Sequence, residues 1–323
     1  MKKNNIFEVF LTSQNSIFFL FAFFPLSILL GSFAINLNIL IISLIFLCNL
    51  MMRKISYIFQ SKTFLLLIFF LITLLINLIF TNNLSLSFPR IVKFFFVIFF
   101  ISSFKYTLLN FSDNQKEGLY RIWSIIFTFI VFDLMIEFYR GENIIGLKSI
   151  MPDVRLASFT GKESVIGNYF YGFVLIFLSY FYNNFSKKVS INLLLAIFLI
   201  TISFLIGERA NFIRTFIIII LFIFFIYDFK VRNKILALLA LSLLLITFIN
   251  PNPQYKTRYF NEISILFTKN GISSYLNSSH YGAHYNVAKE IFKDNYFFGV
   301  GIKNFRIESA KDKYKKPETS KQS

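Results

Sequence analysis

The chain has 323 residues, 56% of them hydrophobic and 47 of them Phe, and a formal net charge of +17. This excludes a soluble globular domain of ordinary make-up, whose apolar share is about 45–50% even with glycine counted. A single cysteine, Cys48, excludes an intrachain disulfide and a cysteine-based metal site.

Apolar runs of about 17–20 residues recur along the chain, each enough to cross a bilayer at ~1.5 Å rise per residue. They predict nine helices, at 17–34, 35–52, 63–80, 91–108, 122–139, 166–183, 190–206, 211–227 and 234–249. Lys2 and Lys3 before the first run look like the start of a signal peptide. The run is too long, lacks a small-residue cleavage site and leads straight into another span, so it is read as an uncleaved helix. Only Ala34-Ile35-Asn36 separates it from the second run, which predicts either a tight helical hairpin or one long broken helix. The fourth run is the least apolar at its start, where Arg90 and Lys93 stand. The fold class expected is an all-α polytopic membrane helix bundle. Residues 1–249 form the transmembrane body, including a loop at 140–165, and residues 250–323 form a segment outside it.

The basic residues are placed unevenly. With the N-terminus cytoplasmic, the inside segments hold Lys2, Lys3, Arg53, Lys54, Lys62, Lys105, Lys116, Arg121, Lys187, Lys188, Lys230, Arg232 and Lys234. The short outside turns hold only Arg90, Arg209 and Arg214. This is the positive-inside pattern, so the basic charge reads as topology and not as a nucleic-acid surface. The expected partner is the lipid bilayer. Nine spans then put 250–323 outside. That segment opens on Asn250-Pro-Asn-Pro253, which stops the ninth helix. An amphipathic helix is predicted at 279–293, with Tyr281, Tyr285, Ala288 and Ile291/Phe292 as its apolar face. Asn295 and Gly299-Val-Gly301 break it, and the Lys-rich stretch 309–323 reads as disordered.

Four groups of residues carry candidate chemistry. In Phe204-Leu-Ile-Gly-Glu-Arg-Ala-Asn-Phe-Ile-Arg214, Glu208, Arg209 and Arg214 lie between two apolar runs. A charge at membrane depth costs about 2.5–3.5 kcal/mol on insertion scales and marks a pathway or site. The stretch is either an anion-binding edge or a hairpin turn held by a Glu208–Arg209 pair and snorkelling arginines. Asp133 and Glu137, four apart on one face of the fifth helix, would bind a cation or relay protons, unless Glu137 simply meets Arg140 or headgroup water. Arg155 stands in the loop 140–165. His280 and His284, the two histidines of the chain, are four apart and read either as a base or ligand pair or as structural residues. Gly299-Val-Gly301 lacks the third glycine of a dinucleotide fingerprint, since Asn304 stands there, and reads as a tight turn. No P-loop, HExxH or Gly-x-Ser-x-Gly motif occurs, so neither a cofactor nor a metal is expected. Arg155, Arg209, Arg214 and Arg258 facing one outside cavity would suit an anionic lipid head. Arginine's planar fork binds oxygen pairs and stays charged at any working pH.

In chain order these pieces resemble the O-antigen ligase/polymerase family of bacterial membrane glycosyltransferases. The resemblance covers about 120–310 and runs through Asp133, Glu137 (where Gln is common) and Gly141-Glu-Asn-Ile-Ile-Gly146. It continues with Arg155-Leu-Ala-Ser-Phe-Thr-Gly161-Lys-Glu163, Gly207-Glu-Arg-Ala210 and His280…His284…Asn295…Gly299-Val-Gly301…Asn304-Phe-Arg306. It implies a body of roughly twelve helices in the inner membrane with one large periplasmic loop. It also implies transfer of glycan from undecaprenyl diphosphate to a sugar hydroxyl, on lipid A-core or on another lipid-linked repeat, without a metal or nucleotide sugar. By that match Arg209 takes the diphosphate, supported by Arg155 and Arg214, and a loop histidine is the base. The family often has Arg where this chain has His280. Its His-containing stretch beyond the Gly-Val-Gly turn and its last spans are absent here, which reads as a truncated copy. Two other readings stay open, a transporter or flippase of lipid-linked oligosaccharide using Asp133/Glu137, and an inactive membrane fragment.

Overall fold

The computed structural model describes residues 14–53, 61–151, 154–161, 165–185, 188–249, 253–257, 259, 264, 271, 273, 276 and 280–314. These residues are helical with short turns, and no strand occurs among them. A helix lies over each expected run: α1 Gln14–Leu29, α2 Ser32–Arg53, α3 Lys62–Ile79, α4 Leu84–Asn110, α5 Asp113–Arg140, α6 Ile166–Asn184, α7 Val189–Leu205, α8 Arg209–Phe225 and α9 Val231–Ile249. Beyond them come α10 Pro253–Lys256, α11 His280–Asp294 and α12 Phe305–Glu308. Four of these, α2 to α5, are long and apolar enough to cross a membrane. The first break falls earlier than expected, at Leu30-Gly31 rather than 34–36. Gly31 takes φ +99°, a left-handed turn that costs a residue without Cβ little, and α2 restarts at once from Ser32.

The chain packs as two compact units. One comprises residues 39–109 and 261–323, the other 13–38 and 110–260, so α2 passes from the second to the first between Asn38 and Ile39.

In the first unit, the end of α2 and the α3–α4 hairpin share a core of Phe46, Leu50, Phe64, Leu71, Ile91, Ile98 and Phe99. Ser43 Oγ donates to Phe96 O at 2.7 Å across this contact. The opposite face of α3 is uncovered, and Leu65, Leu66, Phe69, Ile72, Leu75 and Ile76 are all exposed. Water-soluble monomers avoid a contiguous apolar face of this kind, whereas hydrocarbon covers it. The Gly299–Glu308 segment docks on the α3–α4 turn. Asn304 is 1% exposed and donates through Nδ2 to Thr81 Oγ1 and to Ser87 Oγ at 3.0 Å. Ser87 Oγ donates to Ile302 O at 2.9 Å, Asn82 Nδ2 to Glu308 Oε2 at 2.8 Å, and Phe298 stacks on Phe80 at 3.8 Å. A Cβ on Gly301 would lie 1.9 Å from Thr81 Oγ1, so a side chain there would exclude this dock.

Two sequence expectations change here. On α11 the buried face is Val287 and Ile291, packed with Tyr314 and Val300, while Tyr285, Ala288 and Phe292 are exposed. The stripe is set by where Tyr314 and Val300 lie, which periodicity alone does not register. Residues 309–314, expected to be disordered, are instead folded. Tyr314 is buried in a turn at Asp312–Tyr314, its hydroxyl donates to Asp294 Oδ2 at 2.6 Å, and Lys313 pairs with the same oxygen at 2.7 Å.

In the second unit α5 is central, packing on α1 and α6, with α8 against α6 and α7, and α9 against α7. Leu119, Trp123, Phe127, Ile130 and Leu134 of α5 are buried, as are Phe170, Phe173, Val174 and Leu178 of α6. Trp123 Nε1 donates to Phe21 O at 2.9 Å and Asn38 Nδ2 to Leu20 O at 3.1 Å, which satisfies polar groups inside an apolar layer. A capping box of Ser112 and Gln115 starts α5, and Gly141 at φ 74° ends it.

The link between α11 and the 312–314 turn has a definite pH dependence. Lys313, then the Tyr314 hydroxyl, hold the Asp294 carboxyl below its ordinary range, and the same bond pushes Tyr314 up to about 12. A lowered carboxylate contributes its full stability above the unfolded value and loses it as pH falls through the folded one. Hydrogen exchange at the Tyr314 amide, corrected for intrinsic rate, should therefore stay protected down to about pH 4 and open below it. Asp294→Asn should remove that transition, and an unchanged profile would contradict the link.

Candidate functional site

Asp133 and Glu137 lie one turn apart near the C-terminal end of α5, and at 0% and 3% exposure they are buried. Ionisable groups in such a position need a donor for every oxygen. The loop after α5 supplies them. Asp133 Oδ1 accepts from Ile144 N at 2.8 Å, and Oδ2 accepts from Ser158 Oγ. Glu137 accepts from Ala157 N through both oxygens, at 3.1 and 3.0 Å, and from Ser158 N at 2.7 Å. Glu137 thus turns inward, away from the contact with Arg140 that its position at the helix end allowed. Arg140 pairs instead with Glu142 at 3.5 Å, as does Lys148 at 3.9 Å.

The loop is shaped to reach these carboxylates. Asn143, 1% exposed, accepts from Ile145 N and Leu147 N at 3.1 and 2.7 Å, closing a turn in which Gly146 has φ +82°. Ser158 has φ +49°, a left-handed setting for a residue with a Cβ, which its two bonded carboxylates hold in place. Phe159 stacks on Phe129 of α5.

Held this way, the loop lies against the α7–α8 turn. Leu156 N donates to Ile206 O at 3.2 Å. Gly207 has φ +78°, and a Cβ there would meet Val154 O at 2.0 Å and Arg155 Cα at 3.3 Å. The main chain of Arg155 therefore rests directly on Gly207, two residues before Arg209. Both arginines are half-buried, and Arg209 is the first residue of α8. Glu208 accepts from Gly167 N at 3.3 Å at the start of α6 and from Asn211 Nδ2. A Cβ on Gly167 would come within 2.5 Å of Glu208 Oε2. Arg214, exposed and farther along α8, donates to Asn211 Oδ1 at 3.5 Å. The main-chain oxygens at the end of α7 are taken by tyrosines, Tyr255 OH to Leu205 O at 3.3 Å and Tyr259 OH to Phe204 O at 3.1 Å.

The structure thus gathers Asp133, Glu137, Arg155, Glu208, Arg209 and Arg214 in one unit around the N-termini of α6 and α8. Arg258 lies outside the described residues. His280 and His284 belong to the other unit, on α11, where His284 is exposed. Ser158, Gly167, Asn211, Tyr255 and Tyr259 complete the site without having been singled out from sequence. Tyr255 and Tyr259, four apart after the Pro253 stop, carried the only advance signal, an aromatic pair one helical turn apart. Among the described residues no three His, Cys, Asp or Glu side chains gather to hold a metal ion.

Comparisons with protein-family models, with curated proteins and with solved structures return no match to this chain.

Substitutions at two positions test the architecture. Gly207→Ala adds a Cβ in a left-handed setting, itself costing about 1–2 kcal/mol, and directs it onto Val154 O. It should lower the Tm in detergent and expose 151–161 to protease. Glu137→Ala leaves the Ala157 and Ser158 amides buried without their acceptor, at about 1–3 kcal/mol each, and should destabilise more than Glu137→Gln, which keeps one oxygen. Equal Tm values for the two Glu137 variants would contradict this role of the Glu137 carboxylate.

Proposed function

We propose that this is a bacterial inner-membrane glycosyltransferase. In this reading its nine apolar helices cross the bilayer from a cytoplasmic N-terminus, and it handles glycan linked to undecaprenyl diphosphate in the manner of the O-antigen ligase/polymerase family. The observation that carries the reading is the seating of Arg155 on Gly207, beside Arg209. Two arginines whose main chains lie at one turn, next to the N-termini of α6 and α8, offer the charge and the planar forks that suit a diphosphate.

In the reaction the bond between the sugar anomeric carbon and the diphosphate oxygen breaks as the acceptor hydroxyl oxygen bonds to that carbon. The diphosphate leaves with the electron pair, and Arg209, with Arg155 and Arg214, neutralises the charge that develops on it. Fixed cations aimed at a leaving group lower the barrier because they need no reorganisation when the charge appears. The hydroxyl proton passes to a base; His280 and His284, the histidines that the resemblance offers for that role, both lie in the other unit. The acceptor is a glycan hydroxyl, on lipid A-core for a ligase or on a second lipid-linked repeat for a polymerase.

In cells that depend on this gene for surface glycan, Arg209→Ala should abolish polymeric or ligated glycan while protein level stays unchanged. Arg209→Lys keeps the charge without the fork and should retain partial activity. Normal glycan with Arg209→Ala would overturn the assignment.

A further inference from the structure

The segment that ends α11 displays aromatic rings that its own fold does not use. Phe292 is 63% exposed, Tyr296 60% and Phe297 76%. They form a run, with Tyr296 and Phe297 ring centres 4.1 Å apart and Phe297 6.4 Å from Phe298. The run has a fixed address, because Phe298 stacks flat on Phe80 at 3.8 Å and Asn77 Nδ2 donates to Phe298 O. Phe80 is the residue after α3, one of the helices long and apolar enough to cross a membrane, and α4, another, starts four residues later. Ile79, Leu84 and Phe88 are exposed at the same turn and continue the apolar surface. The same stretch of chain carries exposed cations, Lys289 and Lys293 on α11, the latter paired with Glu290 at 3.1 Å, then Lys303 and Arg306.

We propose that Phe292 and Tyr296–Phe298 form a bilayer-interface anchor, seated in the headgroup layer where α3 and α4 leave the membrane, with anionic lipid heads paired to the flanking lysines. Aromatic rings concentrate at that depth because their apolar bodies leave water there. Phe on one face and Lys/Arg beside it is also the make-up of segments that lie in the interface plane. The occupant is fixed by continuity. The rings are stacked on the end of a span, so the surface beside them is lipid whenever α3 is in the membrane. The anchor holds the Gly299–Glu308 dock and α11 down against the membrane surface. It rests on the membrane reading of α3 and α4 and not on the transferase assignment.

The test uses the full chain with Cys48→Ala, reconstituted in vesicles of phosphatidylethanolamine and phosphatidylglycerol. Spin labels are placed singly through Phe292→Cys, Phe297→Cys, Phe95→Cys and Ala310→Cys. Accessibility to dissolved oxygen is compared with accessibility to an aqueous nickel chelate. At positions 292 and 297 the oxygen-to-nickel ratio should be several-fold above that at 310 and should stay below the ratio at 95, which lies deep in α4. A ratio at 292 and 297 equal to that at 310, with 95 still oxygen-dominated, would overturn the anchor alone. A water-exposed label at 95 would overturn the membrane reading and the anchor with it.

Discussion

Two carboxylates buried at the end of an apolar helix set the terms for the rest of this structure. Asp133 and Glu137 sit one turn apart with almost no exposure, and burying even one such charge unpaired would cost more than most side-chain contacts return. The chain meets that demand with the main chain of the following loop. With Ile144, Ala157 and Ser158 donating to α5, residues 141–151 and 154–161 are drawn back across the helix end, and 154–156 onto the α7–α8 turn. The position of Arg155 follows from that path. The seat of the Arg155 main chain on Gly207 is thus a consequence of the acids, which amides and a hydroxyl engage at every oxygen.

Small residues make the closure possible. Gly207 gives the loop main chain its seat, and Gly167 lets Glu208 reach the start of α6, each where a Cβ would fall within 2.5 Å of a neighbour. In the other unit Gly301 plays the same part against Thr81. At Gly207 and Gly301 glycine is needed for close approach as much as for its backbone freedom, and at Gly167, inside α6, for close approach alone. The Gly299-Val-Gly301 turn, read from sequence as a tight turn, therefore works as a dock whose polar face is completed by Asn304 and Ser87.

What was legible in the sequence was whatever depends on local period and length. Every long apolar run carries a helix, because a run of that length with few charges has no other way to satisfy its backbone in an apolar setting. The spacing of Asp133 and Glu137 put them on one face, but not on which neighbours that face closes. Those donors come from residues 11 to 25 positions away, in a loop without periodicity. Glu137 and Glu142 both lay within reach of Arg140, and only the folded loop decides between them. The break at Gly31 was displaced in the reading because the residues after it are as apolar as a span. The histidines and the arginines were read as one constellation along the chain, yet contacts divide them between two units.

The central claim is that Arg155 and Arg209 share one diphosphate. Its most direct test is the affinity for undecaprenyl diphosphate of the chain in lipid nanodiscs, measured for Arg155→Ala, Arg209→Ala and the double variant. A hydrogen bond to a charged group is worth about 1.5–3 kcal/mol, so each single variant should weaken binding roughly tenfold or more. Because both groups act on one ligand, their effects should couple, with the double variant departing from the sum of the two by about 0.5 kcal/mol or more. Unchanged affinity in both single variants, or strictly additive losses, would contradict the shared site.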